Sequence, residues 1–177
     1  MLELQEIYKT FNKGTITEKK AINGIDLKLN EGDFVTVIGG NGAGKSTLLN
    51  LIAGVYESDY GKILVDGIDI TDKKEYARAG LFGRVFQDPM TGTASNMGIE
   101  ENLALAKRKG HPRTLRWGIT RVERDEYIEK LKRLDLGLEK RLNLKVGLLS
   151  GGQRQALTLL MATLKKPRLL LLDEHTA

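Results

Sequence analysis

Gly39-Gly40-Asn41-Gly42-Ala43-Gly44-Lys45-Ser46-Thr47 lies between an apolar run, Phe34-Val35-Thr36-Val37-Ile38, and a helix-favouring run, Leu48-Leu49-Asn50-Leu51-Ile52-Ala53. A β-type run, a glycine-rich turn and a helix form the context in which G-x-x-x-x-G-K-[ST] holds phosphate. The glycines let the backbone curl so that successive N–H groups converge on an anion, and no side chain blocks its approach. Lys45 adds a positive charge for the outer phosphates, and Ser46 a hydroxyl for the Mg²⁺ that accompanies them. The helix that follows presents its positive dipole end to the same place. An α/β domain that binds a nucleotide through residues 39–47 is the expectation from which the rest is read.

Working outward, the totals are those of an ordinary soluble domain: 177 residues, 41% hydrophobic and 29% charged. That length supports one domain with a core of its own. A net charge of +5 is compatible with a membrane surface, nucleic acid or nucleotide phosphate, and selects none of them. The absence of cysteine excludes disulfides and thiolate metal sites and is compatible with a reducing compartment. Met1 to Glu6 lacks the basic and apolar regions of a signal peptide, and no run approaches the about 20 apolar residues that span a bilayer.

Upstream of the loop, Leu2, Leu4 and Ile7 suggest a strand, and Ile25, Leu27 and Leu29 alternate with polar residues as in a half-buried strand. Downstream, Gly54 is placed to close the helix, and Asp66-Gly67 between Lys62–Val65 and Ile68–Ile70 signals a tight hairpin. Leu81 to Phe86 is a further strand candidate, running into Gln87-Asp88-Pro89. From Met90 the chain turns polar and helix-favouring, with helices expected near 99–107 and 121–134 around a basic connector that includes His111 and Trp117. Ser150 and Gln153 have the spacing of a capping box, followed by Leu157, Leu160, Met161 and Leu164 at helical intervals. Leu169 to Leu172 reads as a strand buried on both faces, with Asp173 and Glu174 at its carboxyl end, where open α/β sheets bind ligands.

Taken in order, the glycine loop, Gln87, Leu149-Ser150-Gly151-Gly152-Gln153 and Leu169 to Glu174 resemble the ATP-binding subunit of an ABC transporter over essentially the whole chain. The resemblance implies an α/β P-loop NTPase with a RecA-like core of mostly parallel sheet, an N-terminal antiparallel β subdomain and an inserted helical subdomain. It implies a single ATPase domain over 1–177: β subdomain and loop over about 1–89, helical subdomain and signature helix over about 90–165, and the acidic strand over 166–177. ATP and Mg²⁺ are then the expected ligands. Residues Gly39 to Thr47 would bind the phosphates; Ser46, Gln87 and Asp173 would hold the metal; Lys45, Gln87 and Glu174 would serve catalysis, with Glu174 orienting or deprotonating the attacking water. Ser150, Gly151, Gly152 and Gln153 would meet the γ-phosphate carried by a second copy in a head-to-tail dimer. Phe11, or alternatively Tyr8, would stack on adenine.

The expected partners are transmembrane permease subunits at the cytoplasmic face of the membrane, with import the favoured direction and no direct nucleic-acid binding. Competing readings are a soluble ATPase of the same family acting on nucleic acid or the ribosome, and a nucleotide-binding module without turnover. The basic stretch Lys107 to Arg124 reads as a solvated face or as a contact for lipid or permease, and Trp117 as a partner anchor or local packing. Asp173-Glu174-His175-Thr176-Ala177 carries histidine where the family usually has proline. This variant resembles a prokaryotic branch of amino-acid-type importers, including tryptophan/tyrosine-like systems, and places an imidazole beside the general base. The family pattern continues beyond this motif, so the chain is read as the amino-terminal part of such an ATPase.

Overall fold

The computed structural model describes residues 1–88, 90–110 and 118–173. The chain divides into two compact units, Met1–Ala79 and Gly80–Ala177.

In the first unit, β1 (Leu2–Phe11) pairs antiparallel with β2 (Lys19–Leu29) on one side and β3 (Tyr60–Val65) on the other, and β4 (Ile68–Asp69) completes the order β2-β1-β3-β4. Both opening strands run longer than the alternation of Leu2 to Ile7 and Ile25 to Leu29 suggests, because backbone pairing extends the ladder to Phe11↔Lys19 at its far end. Leu2, Leu4 and Ile7 of β1, Ile22 of β2, and Ile63 and Val65 of β3 are buried. The expected hairpin is present: Asp66 and Gly67 both take positive φ, 52° and 77°, as a two-residue turn of right-handed strand twist requires. A bulge interrupts β1 at Glu6 (φ 48°). Opposite it, a Cβ on Gly61 would stand 2.3 Å from the Glu6 carbonyl oxygen, so only glycine fits.

Helix α1 (Lys45–Ala53) packs against β2 and buries Leu48, Leu51, Ile52 and Ala53. It ends at Gly54, left-handed with φ 83° as expected. A short helix α2 (Glu75–Arg78) follows β4 and was not foreseen in the sequence. Its Arg78 side chain is buried and donates to the carbonyls of Leu51 (2.7 Å) and Ile52 (2.9 Å), and also to those of Thr71 (2.6 Å) and Lys73 (2.6 Å). It thereby adds a donor to carbonyls at the C-terminal end of α1, where the helical ladder runs out.

One expectation fails. Residues 34–38 form no strand, and Phe34 and Ile38 are 88% and 91% exposed. A β-prone run becomes a strand only when another backbone supplies the ladder. The four strands of this unit pair with one another in the order given and none of them pairs with 34–38.

In the second unit, β5 (Phe82–Val85) and β6 (Leu169–Leu172) lie parallel in the register Phe82↔Leu169 to Val85↔Leu172. Gly83 sits where a Cβ would come within 2.5 Å of the Ala162 carbonyl, which brings α5 (Gly151–Thr163) close against β5. Helices α3 (Ile99–Lys107) and α4 (Arg121–Lys132) join α5 around one cluster that contains Ile99, Leu103, Tyr127, Leu131 and Leu157. Leu164 is buried in the same cluster and Leu160 and Met161 pack against it, so the apolar stripe of α5 is the one its spacing indicates. The single-turn 3₁₀ segments Leu138–Lys140 and Val146–Leu148 bring Leu138 and Val146 into the cluster.

Candidate nucleotide-binding site

The loop before α1 is built by conformations that its glycines permit. Gly42 and Gly44 have φ of 78° and 94°, and Gly44 is the N-terminal cap of the helix. A Cβ on Gly44 would lie 2.5 Å from the Ala21 carbonyl oxygen of β2, so the loop is drawn tightly onto the sheet there. Within the loop, the Ala43 N–H donates to the Gly40 carbonyl at 3.2 Å, and the Leu48 N–H starts the helical ladder on Gly44 at 2.8 Å. Lys45 is half-buried, and its Nζ donates to the carbonyls of Gly39 (2.8 Å) and Gly40 (3.1 Å). The lysine thus folds back over the loop's own backbone and holds its ammonium at the mouth. Ser46 is exposed in the first turn of α1, and no acidic residue occurs in that turn. The helix dipole, the loop amides and Lys45 therefore act in one sense on an anion.

The two aromatic candidates on β1 separate in the structure. The Tyr8 ring stands edge-on to Tyr60 (centroids 6.2 Å apart), and a Cβ on Gly24 would lie 2.7 Å from the Tyr8 hydroxyl. Phe11 closes the end of β1, half-buried, edge-on to Tyr56 at 5.3 Å. The Lys9 ammonium lies 5.7 Å from the Phe11 ring centre and is hydrogen-bonded to Asp59 at 2.9 Å.

In the second unit, parallel pairing aligns the carboxyl ends of β5 and β6. Val85 is opposite Leu172, and the Asp173 N–H continues the ladder onto the Val85 carbonyl at 3.2 Å. Gln87, two residues beyond β5, and Asp173, one beyond β6, therefore emerge at the same edge of this sheet. Glu174 and His175 lie outside the described residues, as do His111 and Trp117.

The capping box read at Ser150 is formed: Ser150 Oγ accepts from the Gln153 N–H (3.3 Å), and Gln153 Oε1 accepts from the Ser150 N–H (3.2 Å). Gly151 and Gly152 are exposed, and a Cβ on either would meet no atom within 4 Å. Two residues that sequence reasoning passed over hold the surroundings in place. Arg154 donates to the carbonyls of Gly147 (3.1 Å) and Leu149 (2.9 Å), pinning the turn that delivers Ser150. Asn102, buried in α3, donates to Ala94 (3.1 Å) and Gly98 (2.9 Å) and accepts from the Ala94 N–H (2.8 Å). It folds the segment between Gln87 and α3. The signal for Arg154 was its place directly after Leu-Ser-Gly-Gly-Gln; nothing in the sequence around Asn102 marks it.

A family model described as "ABC transporter" matches residues 22–177. A tyrosine transport ATP-binding protein of Clostridioides difficile (strain R20291) is 41% identical over 177 residues, covering all of this chain and 70% of that protein. The choline transport ATP-binding protein OpuBA of Bacillus subtilis (strain 168) is 34% identical over 174 residues, covering 98% of this chain and 42% of that protein. Among solved structures, the ATP-binding cassette MJ0796, as a dimer in a post-hydrolysis state bound to ADP and Pi, superposes with a TM-score of 0.82 at 30% identity. The match covers 99% of this chain and 75% of that one. The chain thus spans between about two fifths and three quarters of these three proteins.

Proposed function

This chain belongs to the ABC transporter family of ATP-binding proteins, and on that premise we propose that it binds MgATP on residues 39–47 and carries the chemistry of an energy-coupling ATPase. The observation that carries the reading is the glycine loop with Lys45 folded across it at the start of α1. The loop amides and Lys45 hold the phosphate chain, and Phe11 supplies a flat apolar surface for adenine. Ser150 to Gln153 open a second helix whose exposed first-turn amides suit the γ-phosphate bound by another copy. One chain then contributes two half-sites, and two chains arranged head to tail complete both.

Ser46, Gln87 and Asp173 offer a hydroxyl, an amide oxygen and a carboxylate, the hard oxygen donors that Mg²⁺ prefers. When bound, the metal would neutralise charge on the outer phosphates. Glu174 takes the proton of the attacking water, and Lys45 keeps the γ-phosphate in line for it.

The partner is a membrane permease, and the direction is import. The names of the tyrosine and choline relatives support a small polar solute. No helix among the described residues is long and apolar enough to cross a membrane.

The test is MgATP turnover as a function of protein concentration, with Glu174→Gln and Lys45→Ala alongside. Turnover that rises faster than linearly and disappears in Glu174→Gln supports composite sites. Binding retained in Glu174→Gln and lost in Lys45→Ala supports the roles assigned to each. A strictly linear rise would remove the two-copy site.

A further inference from the structure

Lys19 belongs to no motif discussed so far. It opens β2, where its cross-strand partner is Phe11. Its Nζ lies 3.3 Å from the position that a Cβ on Gly42 would occupy, so the ammonium rests against the phosphate loop. β2 thus carries a cation from beside the aromatic end of β1 onto the loop, within one compact unit.

The charge arrangement around it is one-sided. Residues 39–50 contain no carboxylate, and α1 has no acidic residue in its first turn. Glu18, the neighbouring acid, is turned away and accepts the Gly14 N–H at 2.8 Å. Among the described residues Lys19 takes part in no ion pair. Lys19 therefore sets an ammonium against the loop that leads into the positive end of α1.

We propose that Lys19 is a second phosphate-binding lysine of the nucleotide site, contacting the di- or triphosphate chain between the base platform and the loop. This rests on the nucleotide reading of residues 39–47. Lys19 makes no bond to the reacting atoms in this proposal; it sets affinity for the phosphate chain and leaves stacking of the base to Phe11. Lys20 provides a matched control, because strand alternation turns it to the opposite face while its substitution changes net charge equally.

The experiment measures dissociation constants of MgATP, MgADP, MgGTP and magnesium tripolyphosphate for the unchanged chain, Lys19→Gln, Lys19→Arg, Lys20→Gln and Lys45→Ala, with thermal unfolding of each ligand-free variant. Lys19→Gln should weaken MgATP and MgADP alike by about three- to tenfold, the range of one partly exposed charge contact. Lys19→Arg should recover most of that loss, and Lys20→Gln should bind as the unchanged chain does. Magnesium tripolyphosphate, which has no base, should weaken by the same factor in Lys19→Gln, whereas a general loosening of the β1–β2 end beneath Phe11 would leave its binding unchanged. Equal affinity of Lys19→Gln and the unchanged chain would overturn the inference, as would equal losses in Lys19→Gln and Lys20→Gln or tripolyphosphate binding that Lys19→Gln leaves unchanged. If the unchanged chain binds none of the three nucleotides, the nucleotide reading itself falls and this inference with it.

Discussion

Arg78 occupies an apolar interior with four backbone carbonyls as its hydrogen-bond partners, two of them at the end of α1. Burial draws its pKa down from the ordinary arginine value, and the nearby Asp72 and Asp69 act against that shift. Replacing it with methionine keeps much of the volume but removes the four side-chain hydrogen bonds to those carbonyls. Arg78→Met should cost about 3 kcal/mol in a urea unfolding experiment, by loss of several charge-assisted bonds to buried acceptors. Sequence alone could not have marked this residue. An arginine in a polar stretch reads as solvated, and only the fold shows that the Gly54 turn leads the end of α1 back to it. Lys45, Ser150 and Gln153 were legible because their partners are local, within six residues along the chain. Asn102 and Arg154 were not, since what they do depends on turns formed elsewhere.

At the scale of elements, helix α4 illustrates how one segment links pH to stability. At its start, Thr120 and Glu123 form a reciprocal cap, and the Thr120 N–H holds the Glu123 carboxyl below its usual pKa. One turn on, the Tyr127 ring is fully buried, and its hydroxyl reaches no hydrogen-bond partner among the described residues. Burial pushes the Tyr127 pKa up to about 12. The signs are opposite at the two ends of the pH scale. Glu123 contributes stability above the ordinary carboxylate pKa of 4.5, and that contribution fades as pH falls through its lower folded value. Tyr127 is neutral in both states below pH 10; stability is lost from there upward, as the unfolded phenol ionises, until about 12. Tyr127→Phe should abolish the alkaline limb in pH-dependent thermal unfolding, and at neutral pH it should match the unchanged chain or exceed it by about 1 kcal/mol, since an unpaired buried hydroxyl is removed. Glu123→Gln should flatten the acid limb. Elements were the most readable level: α1, α3, α5 and the parallel strands announced themselves through periodicity and caps. Residues 34–38 did not become a strand because strand formation is a property of two backbones and a sequence window shows one.

At the scale of the whole molecule, the two helix starts proposed to bind phosphate reside in different compact units, α1 in the first and α5 in the second. If both half-sites belong to head-to-tail pairs, their responses to nucleotide should separate with protein concentration. Hydrogen exchange should show MgATP protecting residues 39–50 even in dilute protein. Protection of Leu149 to Gln153 should appear only as copies associate. Protection of both segments at every concentration would place the two half-sites in one chain and remove the need for a second copy.

The exposed run Phe34-Val35-Thr36-Val37-Ile38 bears on how any such association is read. Five consecutive β-branched or aromatic residues without charge or proline are the composition from which intermolecular cross-β pairing starts. This chain therefore carries its own seed for stacking, which uses backbone amides and is indifferent to ATP. Light scattering that grows in nucleotide-free samples would report that stickiness, and only the increment produced by MgATP would count towards the functional pair.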